Sequence, residues 1–329
     1  MPANLPPPYF EAEKRYREGK TSDEKIEALE EMLMIMPKHK GTDKLRADLR
    51  KRIAKHKSEV QQKKGSGKGV TAYSIEKEGA AQAIIVGVPN VGKSSIVAAL
   101  TNAKPEVADF PHTTWKPTPG MANFENIQFQ LIDTPPVPTE FIDPGLTDLL
   151  RRTDIIVAVI DIQADPLQQM EDTMAFLNGL RIYQPGAPIP ADLKKAPFVK
   201  NVLLSVNKVD DESAERDYRA FQELCELPLP SIPISILAGY NLSEFLRKIY
   251  EMAGVIRVYT KTPGKDPDLK SPFVLPKEST LEELAKEIHK DFVSRLKFAK
   301  VWGGRSVFDG QMVQRDYVLQ DGNIVEIHT

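Results

Sequence analysis

Apolar residues along this chain of 329 follow three periods in succession. Between 22 and 64, Ile26, Leu29, Leu33 and Met36 recur at helical spacing up to Pro37, and Leu45, Leu49, Ile53 and Val60 do so again after Lys38, His39, Lys40 and Gly41. Each set falls on one stripe of a helix, with Asp23 and Thr42 as caps, and the short connection predicts an antiparallel helical hairpin. The second helix, of about 22 residues, would be about 33 Å long. Between 83 and 236 the pattern changes to short strand-like runs at 83–86, 127–132, 155–160, 202–206 and 231–236, of which 155–160 is apolar throughout and 202–206 nearly so. Such runs predict strands covered on both faces, as in an α/β domain whose sheet is mixed but mostly parallel. From 255 onward the runs 255–259, 273–275, 299–302 and 324–327 surround one helix. Its start is a capping box of Thr280 and Glu283, and its face carries Leu281, Leu284, Ala285, Ile288 and Phe292. This predicts a small α+β module of order β-β-α-β-β, with Trp302 in its core. The string QQKKGSGKGV at 61–70 reads as a flexible linker. The expected domains are therefore 1–70, 71–253 and 254–329.

Composition narrows the class. A single cysteine, Cys225, excludes an internal disulfide, and it is expected inside a helix over 219–227. The five histidines, His39, His56, His112, His289 and His328, lack ligand-like spacing, so no structural zinc is expected. No apolar stretch approaches the roughly 20 residues that span a bilayer, and the proline-rich residues 1–10 hold no apolar signal core. A soluble protein in the cytoplasm, with no membrane partner, is the expectation. The net charge of −2 conceals an asymmetry: residues 38–68 hold twelve Lys and Arg against Asp43, Asp48 and Glu59. Lys44, Arg46, Arg50, Lys51, Lys55 and Lys57 fall on the outer face of the second helix. Such an excess suits RNA phosphate better than it suits a merely solvated surface, and no DNA partner is expected.

Candidate chemistry begins at GVPNVGKSS, residues 87–95, which lies between an apolar strand and the helical run Ile96, Val97, Ala98, Ala99 and Leu100. Strand, glycine loop and helix in this order form a concavity of backbone N–H groups at a helix N-terminus, where a polyphosphate is favoured. Pro89, Asn90, Val91, Gly92, Lys93, Ser94 and Ser95 are the expected phosphate-binding residues, with Lys93 reaching the outer phosphates and Ser94 ligating Mg²⁺. The run 202–206 delivers Asn207, Lys208, Val209 and Asp210, an N-K-x-D signature. The Asp210 carboxylate accepts from guanine N1–H and its exocyclic amine, whereas adenine would present an acceptor. Ser235 and Ile236 stand where the base-contacting loop is expected. Asp133 ends the run at 127–132, in the position of a D-x-x-G signature that here reads DTPP; its carboxylate would hold a magnesium-bound water. Pro136 replaces the glycine whose N–H meets a γ-phosphate. In the proline- and threonine-rich stretch 109–120, Thr114, or else Thr113, would ligate Mg²⁺ while a γ-phosphate is present. His112 reads as an exposed loop residue rather than a catalyst.

GVPNVGKS, FPHTT at 110–114, IDTP, NKVD and IRVYTKTPG at 256–264, with IHK at 288–290 and VWG at 301–303, resemble the developmentally-regulated GTP-binding proteins of the Obg superfamily. The resemblance implies a P-loop GTPase domain, a preceding helix-turn-helix and a C-terminal ubiquitin-like, β-grasp TGS domain. It also implies a Mg²⁺-dependent GTPase that binds GTP and GDP and acts with ribosomes or translation factors. The insertion which that family carries in its G domain is expected to be missing, because Asp133 and Asn207 are too close in sequence. Asn90 matches the asparagine that places K⁺ in potassium-activated relatives, so Lys93, Thr114 and Asn90 form the expected catalytic set. Val137 cannot orient a water as a glutamine does, which predicts a slow intrinsic rate. Pro136 supports one rival, a guanine-nucleotide-binding adaptor on RNA or ribosomes with little turnover; a further alternative is an RNA-binding assembly protein whose G domain is only a scaffold.

Overall fold

The computed structural model describes residues 9, 12, 14–16, 22–35, 49, 75–102, 117–137, 142–304 and 308–328. The chain divides into two compact units, Met1–Thr71 and Ala72–Thr329. In the first, helix α1 (Ser22–Ile35) shares a buried cluster with Tyr9, Ala12 and Leu49. Leu29 and Leu49, one from each predicted stripe, both lie in that cluster, as apolar periodicity dictates. Ile53, Val60, the basic face from Arg50 to Lys57 and the linker lie outside the described residues.

The second unit opens with β1 (Ala81–Val86), the loop 87–92 and α2 (Lys93–Leu100). A hairpin follows, β2 (Pro119–Phe124) and β3 (Ile127–Asp133), then α3 (Pro144–Arg152), β4 (Ile155–Asp161) and α4 (Pro166–Gly179). Two short strands, β5 (Ile182–Tyr183) and β6 (Phe198–Val199), precede β7 (Asn201–Asn207), α5 (Glu212–Leu224), β8 (Ser231–Pro233) and α6 (Leu242–Ala253). The main sheet has the order β2-β3-β1-β4-β7-β8, parallel except for β2. β1 and β4 are buried at every position. Each face of the sheet therefore builds its own core: Ile84, Ile132, Ile156 and Leu204 on one side, Ile85, Leu131, Val157 and Leu203 on the other. Because the strands are parallel, the carboxyl ends of β1, β3, β4 and β7 emerge along one edge, the usual place for a ligand in an open α/β sheet.

After Gly254, left-handed at φ 65, comes the C-terminal sheet. Its elements are β9 (Val255–Thr260), β10 (Asp268–Pro276), α7 (Leu281–Ile288), α8 (Lys290–Arg295), β11 (Phe298–Trp302), β12 (Gln311–Val313) and β13 (Asn323–His328). The order β10-β9-β13-β11-β12, with β13 parallel to β9, is a β-grasp arrangement. The capping box of Thr280 and Glu283 forms as predicted.

Several expectations change. The run 231–236 stops being a strand at Pro233, and Ser235 instead pairs with Tyr240 across a tight loop. Cys225 is not inside a helix but caps the end of α5, half-buried, with Sγ 3.5 Å from Met170 Sδ. The helix after Thr280 breaks at His289, whose extended backbone ends α7 and whose Nδ1 accepts from Asp291 N, so that Phe292 belongs to α8. Trp302 is half-buried rather than core; the Lys261 ammonium lies 4.7 Å from its ring centre. Edge strands β2 and β12 were not legible, since proline, glycine and polar residues interrupt their alternation.

Candidate nucleotide site

The loop between β1 and α2 is shaped by what its glycines leave out. At Gly87, φ 156, a Cβ would stand 2.3 Å from the Val159 carbonyl oxygen of β4. At Gly92, φ 93, it would stand 2.4 Å from Asn207 Nδ2. That gap lets the Asn207 amide donate to the Val91 carbonyl at 2.8 Å, so the N-K-x-D loop is braced directly on the phosphate loop. Asn90 is left-handed at φ 66, and both it and Pro89 are exposed at the loop surface.

Lys93, the first residue of α2, is buried and donates to the Gly87 carbonyl at 3.0 Å and the Val88 carbonyl at 2.9 Å. These two bonds hold the ammonium across the loop it follows. Burial pushes its pKa down to about 8, against the opposing charge of Asp133. Ser94, exposed at the mouth, donates from Oγ to Asp133 Oδ2 at 2.5 Å. Asp133 Oδ1 is buried and has no hydrogen-bond partner among the described residues. Burial raises the Asp133 pKa, a tendency that the Ser94 hydrogen bond and Lys93 oppose. A hydroxyl and a carboxylate in contact, one carboxylate oxygen unpartnered, are hard oxygen ligands of the kind Mg²⁺ takes, so the donor set fits that ion. Ser95, Thr134 and Val137 complete the surroundings. Ser95 is exposed, Thr134 Oγ1 donates to the Ile85 carbonyl at 2.6 Å, and Val137 N donates to the Gly87 carbonyl at 3.1 Å. Pro136 therefore precedes a residue whose backbone N–H and buried side chain are already engaged. Thr113, Thr114 and His112 lie outside the described residues.

The base-side half is built by β7 and the loop after β8. Asp210 accepts from Ser235 Oγ at 2.5 Å and from Gln163 Nε2 at 3.2 Å, and Ser235 Oγ in turn accepts from Ala238 N at 2.9 Å. Val209 N donates to the Ile234 carbonyl at 3.1 Å. Asp210 and Ser235 thus meet, and Ile236 lies half-buried beside them in sequence, while Leu237 projects into solvent. Lys208, left-handed at φ 65, forms an ion pair with Asp161 at the end of β4. Asp161 and Gln163 escape a reading of the sequence because only the pairing of β4 with β7, which sets Asp161 opposite Asn207, brings them to the site. The single available signal is that an apolar run ends in an acid, as it does at Asp133.

Comparison with known proteins agrees with this geometry. Residues 82–183 match a family described as 50S ribosome-binding GTPase, and residues 256–329 match the TGS domain. A GTP-binding protein of Methanocaldococcus jannaschii is 30% identical over 363 aligned positions, covering 93% of this chain and 92% of the relative. Developmentally-regulated GTP-binding protein 1 of Xenopus laevis is 26% identical, covering 92% of this chain and 98% of its own. A Dictyostelium discoideum homologue of developmentally-regulated GTP-binding protein 2 is 25% identical, with the same two coverages. Similarity thus runs through the helical, nucleotide-binding and C-terminal parts alike. The chain belongs to the family of developmentally-regulated GTP-binding proteins, P-loop GTPases of α/β fold that end in a TGS domain.

Proposed function

We infer that this protein is a Mg²⁺-dependent GTP hydrolase that works as a slow switch on ribosomal particles. The observation that carries the reading is the contact of Ser94 Oγ with Asp133 Oδ2 at 2.5 Å, beside the buried Lys93 and an unpartnered Asp133 oxygen. Ser94 and Asp133 would hold Mg²⁺, which when bound offsets charge on the phosphate oxygens. Lys93 exchanges its two carbonyl contacts for phosphate oxygens. Asp210 and Ser235 select guanine, and Thr114 senses the γ-phosphate. The residue after Pro136 is Val137, which has no group to orient water, so the unaided rate is low and a partner raises it. The basic segment 38–68 and the TGS domain supply the contacts to ribosomal RNA, in keeping with the ribosome-binding description of the matched family. Asn90 is the residue to place K⁺ if the rate depends on it.

The adaptor reading has one observation of its own: the Val137 N–H is bonded to Gly87 and Pro136 has none, so this segment offers little to a γ-phosphate. Steady-state GTP hydrolysis with and without large ribosomal subunits, repeated for Lys93→Ala and Pro136→Gly, separates the two. Ribosome-stimulated phosphate release that Lys93→Ala abolishes supports the switch. Tight GTP binding without release supports the adaptor.

A further inference from the structure

The hairpin of β2 and β3 turns through Glu125 and Asn126, since Phe124 pairs with Ile127. Glu125 has φ 51, a conformation that tight hairpin loops assign to glycine or asparagine. A glutamate there works against the local turn, and what it gains is a partner in the other half of the unit. Its carboxylate bonds the guanidinium of Arg257 on β9. Beside it, Asn126 Nδ2 donates to Tyr259 Oη at 2.8 Å and to the Leu269 carbonyl at 3.1 Å. Arg257 is aimed by its own side of the contact: Nε and Nη2 donate to Asp321 at 3.2 and 3.0 Å, and its backbone N–H donates to the same carboxylate at 2.7 Å. The guanidinium also lies 4.8 Å from the ring centre of Tyr250, and that ring packs on Phe124 and Phe129 of the hairpin.

The other end of this hairpin is at the nucleotide. β2 starts at Pro119, inside the stretch 109–120 whose sequence also holds Thr113 and Thr114, and β3 ends at Asp133, bonded to Ser94. Six in-register pairs tie the two strands together and five tie β3 to β1, so the turn at Glu125 and the site at Asp133 are joined through one hydrogen-bonded sheet. We propose that Glu125, Asn126 and Arg257 form a latch through which the TGS sheet and the γ-phosphate site set each other's state, with Arg257 and Glu125 as positioning residues for discrimination between GTP and GDP. This rests on the switch reading above. Linkage makes the coupling reciprocal: a partner seated on the TGS domain changes the ratio of GTP to GDP affinity by the factor with which the γ-phosphate changes that partner's affinity. A latch with a purely structural role would alter both nucleotide affinities equally or neither.

The test uses the full chain with Mg²⁺, titrated with GDP and with a non-hydrolysable GTP analogue. Glu125→Gly removes the ion pair and suits the turn's backbone, and Arg257 keeps Asp321 as its counter-charge, so folding is retained. The expected result is a shift of about fivefold or more in the ratio of the two Kd values. Asn126→Ala shifts it in the same direction, and Arg257→Ala added to Glu125→Gly shifts it no further. Unchanged ratios in both Glu125→Gly and Asn126→Ala overturn the latch while leaving the GTPase reading intact. Absence of nucleotide binding in the unmodified protein overturns both.

Discussion

Asn207 Nδ2 donates to the Val91 carbonyl at 2.8 Å, across the space that Gly92 leaves by having no side chain. The part of the site that would read the base and the part that would hold phosphate are therefore one braced unit. Asn207→Ala leaves a buried carbonyl unpaired, at a cost of about 1–3 kcal/mol. The variant is expected to unfold at lower temperature and to bind GTP and GDP about tenfold more weakly, with their ratio unchanged. Differential scanning calorimetry and fluorescence titration check both parts.

Lys93 gives a pH dependence with a definite sign. Its pKa is lowered to about 8 by burial, with Asp133 as the opposing charge that faces it. The nucleotide-free fold therefore carries the cost of a buried ammonium below pH 8. The cost is released as pH rises from about 8 toward the unfolded value of about 10.5. Relative to Lys93→Met, the unmodified protein should gain stability across that window, by up to roughly 3 kcal/mol. Phosphates favour the protonated amine, so binding of GDP at pH 8.5 should take up a proton. Calorimetry in two buffers of different ionisation enthalpy measures that uptake, and Lys93→Met should abolish it.

At Asp133 the direction is opposite, because burial raises a carboxyl pKa. Its proton returns at a higher pH than for an exposed aspartate, and a protonated Asp133 no longer orders a cation's shell. The Mg²⁺ dependence of GTP affinity should consequently fade as pH drops, at a higher pH than an exposed aspartate would give. Asp133→Asn should lack that dependence at every pH; equal Mg²⁺ dependence in both proteins would contradict the assignment.

Base selection is testable at Asp210, which is held by Ser235 and Gln163. A carboxylate there matches the two donors of guanine; the amide of Asp210→Asn presents a donor that suits a C2 carbonyl instead. The substitution should lower GTP affinity by at least a hundredfold and raise that for xanthosine triphosphate. Competition binding with both nucleotides decides it.

How much of this was legible in the sequence depends on the range of each determinant. The phosphate loop and the N-K-x-D string are local: a strand, a glycine turn and a helix cap specify them within a few residues. The covered strands were equally plain, because β1 and β4 are apolar at every position but their last or second. The ion pair of Lys208 with Asp161 was hidden, since it depends on the register of two strands 47 residues apart. Glu125 and Arg257, 132 residues apart, were hidden for the same reason. His289 breaks a helix that hydrophobic periodicity carries straight through, because periodicity reports which face is apolar and not where the backbone turns to cap a second helix. Trp302 illustrates the reverse error: a large apolar side chain was assigned to the core, yet it sits on the face of the sheet opposite Ala299 and Val301, under a lysine.

The central claim is that a guanine nucleotide is gripped between the loop that ends in Lys93 and the carboxylate of Asp210. Isothermal titration of magnesium-replete protein with GTP, GDP and ATP tests it most directly. The account predicts saturable binding of GTP and GDP, lost in Lys93→Ala, and no measurable heat with ATP. Equal binding of ATP, or no heat with any of the three, would contradict it.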